Sequence, residues 1–170
     1  MENKKYNSET YKDFTLALAL VDSIPVILFA ITCAIIASAF KSTIFVLGAI
    51  LTIAGGLCKV LWKFFLATIK KDIHFLNRPL FIVLMPVGFL LMIAAVILNI
   101  GRFSPGYIIS AICSFPAIIF FLLGILGLCA MTVFFKKHDK KDAKNNWIEQ
   151  LTNSFAQAMI LIGVILVINS

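Results

Sequence analysis

Five apolar stretches, each too long for a strand of a soluble domain, constrain this chain more than any other feature. They run from Phe14 to Phe40, Ile44 to about Phe65, Leu80 to Ile100, Tyr107 to Phe135 and about Trp147 to Asn169. A bilayer core about 30 Å thick is crossed by roughly 20 helical residues, so every stretch is long enough. Inside hydrocarbon no water satisfies a backbone N–H or C=O, and an isolated span therefore has to be helical. The composition agrees: 61% of the 170 residues are hydrophobic and 14% charged, with a mean hydropathy of +1.02. The expected fold is an all-α integral membrane protein, a bundle of five transmembrane helices with short loops. Residues 1–170 form one helical membrane domain, with helices at about 14–40, 44–65, 80–100, 107–135 and 147–169. No separate soluble domain fits between them.

Lysine and arginine resist translocation, so their distribution predicts orientation. The amino-terminal tail holds Lys4, Lys5 and Lys12; the second connection and its flanks hold Lys59, Lys63, Lys70, Lys71 and Arg78. Lys136, Lys137, Lys140, Lys141 and Lys144 occupy the fourth connection. Of the 15 basic residues only Lys41 and Arg102 fall on the opposite side. This predicts a cytoplasmic amino terminus and an outside carboxyl terminus in a multi-pass protein of the plasma (cytoplasmic) membrane. The net charge of +7 then marks topology and not nucleic acid. The lysines at 136, 137, 140, 141 and 144 are also placed to meet anionic lipid headgroups. Ala37-Ser38-Ala39 resembles a signal-peptidase site, but the apolar run before it exceeds the 7–15 residues of a signal peptide and contains Asp22 and Pro25. It is expected to stay uncut.

A carboxylate inside the first stretch asks for a reason. At about 100° per residue Asp22 shares a face with Val26, Ala30, Cys33 and Ala37, the small side of its helix. Membrane helices approach one another along small faces, so Asp22 is expected to point into the bundle. On the second helix Gly48, Thr52, Gly55, Gly56, Lys59 and Lys63 form a similar stripe. Both Asp22 and Lys59 lie on the order of 10 Å from the cytoplasmic side at 1.5 Å per residue. An Asp22–Lys59 ion pair is the sharpest expectation, because ionisable groups in a membrane pair with each other and often mark function. Ser23 stands beside the carboxylate, and Lys63 stands one turn beyond Lys59.

Pro25, Pro86 and Pro116 are expected to kink the first, third and fourth helices, freeing the carbonyls of Val21, Ile82 and Ile112. The fifth helix opens with a polar stripe of Asn146, Glu149, Asn153 and Gln157, capped by Asn145 or Asn146. That stripe either faces headgroups or completes a polar cavity. The candidate ligand or ion site is thus Asp22, Ser23, Lys59, Lys63, Asn153 and Gln157.

Other chemistry lacks a pattern. Cys33, Cys58, Cys113 and Cys129 sit singly in apolar runs, as packing residues do. His74 and His138 fall on connections, so no haem is held between helices, and with Asp72, Asp139 and Asp142 they match no metal-ligand spacing. No catalytic residues, metal or cofactor are expected. Three functions follow in order: a non-enzymatic membrane subunit or interaction protein; a small solute or ion permease, oligomeric, working through Asp22 and Lys59; and an intramembrane lipid-modifying enzyme using Asp22 and His74. The expected partners are the bilayer, and either further copies of the chain or a membrane partner protein.

Overall fold

The structure, a computed structural model, describes residues 14–102, 105–137 and 142–169. Lys4, Lys5, Lys12, His138, Asp139, Lys140 and Lys141 lie outside the described residues. Those described are helical, with no strand among them. Six α-helices follow one another: α1 (Leu16–Phe40), α2 (Thr43–Thr68), α3 (Phe81–Asn99), α4 (Pro105–Cys113), α5 (Ala117–Lys137) and α6 (Ala143–Ile168). A π turn, Leu76–Leu80, runs straight into α3, so the apolar helix there covers Leu76–Asn99. Among the described residues five helices are long and apolar enough to cross a membrane, as the sequence predicted.

The fourth stretch corrects the expectation of one kinked helix over 107–135. It is two helices, α4 and α5, parted at Ser114-Phe115-Pro116, where the Phe115–Pro116 peptide is cis. A proline lacks the N–H for the residue four before it, and its ring crowds that carbonyl. Pro25 and Pro86 meet the same rule differently, each lying inside an unbroken helix.

Polar residues start the helices. The Thr15 hydroxyl accepts from the Leu18 N–H at 3.3 Å, and the Ser42 hydroxyl accepts from the Phe45 N–H at 3.4 Å. Only Lys41 and Ser42 join α1 to α2, with Lys41 in the left-handed region at φ 47°. For α6 the cap is Asp142, which accepts from the Lys144 N–H at 2.9 Å. Asn145 and Asn146 therefore fall inside the helix, contrary to the expected cap.

Packing follows the small residues. Along α2, Gly48 and Gly55 abut α3: a Cβ at Gly48 would stand 2.6 Å from the Gly88 carbonyl oxygen, and one at Gly88 would run into the Thr52 hydroxyl. Gly56 instead admits Val26 of α1. A parallel arrangement joins α5 to α6, where a Cβ on Gly127 would reach 2.8 Å from the Ala156 methyl. Such close approach gains dispersion energy and not hydrophobic exclusion, the term available between helices in lipid. Neighbours run in the order α3, α2, α1, α6, α5, with α4 against α5 and α6. One cluster, Cys33, Phe45, Ala49, Met92 and Ala95, ties α1, α2 and α3 together near the α1–α2 hairpin. A second, Phe14, Leu18, Trp62 and Leu66 with Leu76 and Trp147, ties α1, α2 and α6 at the opposite, lysine-rich end.

Candidate functional site

Asp22 is 3% exposed, so α1 does turn its carboxylate inward. Its partner is not Lys59. Lys63, 2% exposed, donates from Nζ to Asp22 Oδ1 at 2.9 Å, while Lys59 donates to Glu149 Oε1 of α6 at 3.2 Å. The two lysines are four residues apart and project from one side of α2. The one nearer the helix end takes the α1 carboxylate, and the other reaches across to α6. Two ion pairs therefore link α1, α2 and α6, and Lys59 also stands 5.7 Å from the centre of the Phe81 ring.

Beside these pairs lies a half-open cavity of about 280 Å³. Its polar wall comes from Asp22 on α1, Lys59 on α2, and Glu149, Gln150 and Asn153 on α6. Pro25 and Val26 of α1, Gly56 of α2, Phe81 and Met85 of α3, and Met131 and Thr132 of α5 complete the lining. The end helices α3 and α5 border it without an extended packed interface between them.

Gln150 is the telling residue. It is 2% exposed, yet its side-chain amide forms no hydrogen bond among the described residues. No fully enclosed polar side-chain atom lacks a partner, so this amide keeps access to space, and the space it borders is the cavity. The same bookkeeping applies to the second oxygen of Asp22, since only Oδ1 is bonded to Lys63. An amide and a carboxylate oxygen that border such a space are free to hydrogen-bond a ligand or water held in it.

The other expected site residues separate. Asn153 lines the cavity, whereas Lys63 stands behind Asp22 and off the wall. The Ser23 hydroxyl turns back to the Leu20 carbonyl at 2.6 Å, and Gln157, one turn beyond Asn153, is off the wall as well. Pro25 borders the cavity while Pro86 is exposed on α3. Glu149, Gln150, Phe81, Met85, Met131 and Thr132 were absent from the expected set. Gln150 was legible: it is four residues after Asn146 and three before Asn153, so the α6 stripe is one residue wider than read.

Cys33 packs in the core, but Cys113 and Cys129 are exposed on α4 and α5. His74 is exposed on the α2–α3 connection, and no metal-ligating group of His, Cys, Asp and Glu occurs among the described residues. Lys144 is exposed at the start of α6. Comparison with protein-family models, curated proteins and solved structures gives no match. The chain is thus defined by its own geometry: five long apolar helices bordering a small, charged, half-open cavity.

Proposed function

We propose that the chain is a multi-pass protein of the plasma membrane, amino terminus inside and carboxyl terminus outside, and that it is a permease for a small solute. The cavity carries this reading: it is enclosed mostly by apolar helices, yet its wall holds two carboxylates, an ammonium and the Gln150 amide without a partner. Placing such groups in a membrane is costly, and they are retained where they serve an ion or solute path. Small-molecule pockets begin near about 300 Å³, so the occupant is small.

The test is solute counterflow into proteoliposomes of the purified chain. Uptake is expected for wild type, and its loss for Glu149→Gln and for Asn153→Leu, each of which alters the wall without entering the Asp22–Lys63 pair. A folded protein that moves nothing across a panel of cationic, anionic and zwitterionic solutes would sink the permease reading.

One observation favours the second reading, a membrane subunit. Helix α3 packs mainly along α2, touching α1 through Phe29 and Phe89, and among the described residues no extended interface joins it to α5 or α6 across the cavity. A second copy or a partner helix seated there would close it. A stable complex on purification, without flux by the isolated chain, is the outcome that reading expects.

A further inference from the structure

We propose that the cavity binds a small organic cation, an ammonium on a short apolar body, and that the Lys59 ammonium is a tethered occupant which this ligand displaces. The proposal rests on the permease reading and names its substrate class.

Asp22 and Glu149 border the cavity; Lys63 does not, and it neutralises Asp22 from behind. The remaining carboxylate, Glu149, is neutralised from within the cavity by Lys59. Withdraw that one ammonium and the wall is a single positive charge short. An anion would instead have to displace Glu149 and still meet Asp22 in the same wall.

Lys59 also displays what the site recognises. Its Nζ sits 3.2 Å from a Glu149 oxygen and 5.7 Å from the Phe81 ring centre, a carboxylate and an aromatic face that an ammonium prefers together. With 24% of its side chain exposed, on a flexible four-carbon stem, it can swing toward the lysine-rich end as long cationic side chains do. Lys63, 2% exposed and locked to Asp22, cannot.

Two further features select the body of the ligand. The Gln150 amide, 98% buried by its 2% exposure and without a partner, offers an acceptor oxygen to an N–H donor. Met85, Met131 and Phe81 supply apolar, polarisable contact. A bare alkaline-earth ion wants six or more oxygen ligands, which thioethers and a ring do not provide. The combination suits an alkylammonium.

The experiment measures binding by calorimetry to the full chain in phosphatidylcholine nanodiscs, with butylammonium, butyrate and 4-aminobutyrate as a four-carbon set differing in charge. Butylammonium is expected to bind at least about tenfold tighter than the other two. Glu149→Gln should weaken it by a similar factor. Lys59→Met should tighten it by about tenfold, the gain when a site held nine-tenths of the time by its own lysine is vacated. If Lys59→Met does not fold, the wild-type charge series and Glu149→Gln still decide. Equal or tighter binding of butyrate or 4-aminobutyrate, weaker binding to Lys59→Met, or no binding of the set overturns the proposal. Counterflow of an anion or zwitterion alongside such a result would leave the permease reading standing; absence of flux for every solute removes that reading too.

Discussion

At the scale of the residue, the inward turn of Asp22 was legible because its helical neighbours at three- and four-residue spacing are small. Which lysine it meets was not. Lys59 and Lys63 lie on one side of α2 a single turn apart, and the choice depends on Glu149, ninety residues on from Lys59, claiming the first of them. Sequence spacing fixes which groups share a face and says nothing of the third helix that arrives opposite. The Asp22–Lys63 pair, 3% and 2% exposed, has a direct consequence for stability. Removing one partner strands the other charge, a loss of about 3–5 kcal/mol for buried pairs, whereas replacing both is often nearly neutral. Lys63→Met should therefore lower the unfolding midpoint of the purified protein steeply, and Asp22→Asn combined with Lys63→Met should recover most of it. Additive loss in the double variant would mean that the pair does not act as a unit.

At the scale of the element, period and length were enough to locate every long apolar helix, while the fate of each proline was not in the pattern. Pro25 and Pro86 are accommodated, and Pro116 separates α4 from α5. Each proline removes the same hydrogen bond, so the pattern alone does not tell which of the three helices divides. The α2–α3 contact makes a sharper statement. Because a Cβ on Gly48 would press against the Gly88 carbonyl and the Met92 side chain, Gly48→Ala is expected to cost about 1–3 kcal/mol by overpacking. Gly101, with nothing within 4 Å of an added Cβ, should accept alanine with little change. Thermal unfolding in detergent compares the two variants; an equal response would show that α2 and α3 are not held at this distance.

At the scale of the molecule, the number of long helices was readable and their neighbours were not. Helix α1 packs on α6, the last in the chain, as well as on α2. That return is what brings Glu149, Gln150 and Asn153 to Asp22 and creates the cavity. Orientation is a prediction on this scale, from the one-sided distribution of lysine and arginine. In a cysteine-free background, Lys41→Cys should react with a membrane-impermeant maleimide on intact cells, and Lys144→Cys only after lysis. The reverse pattern would invert the protein in the membrane. The whole molecule also carries an internal reporter: Trp62 and Trp147, the two tryptophans, belong to one hydrophobic cluster at the lysine-rich end. The Trp62 indole N–H donates to Asp72 at 2.7 Å, and its ring meets Phe14 edge to face. All indole emission from this chain therefore originates at that one end, so a shift in its wavelength monitors rearrangement there and is blind to events around the hairpin of α1 and α2.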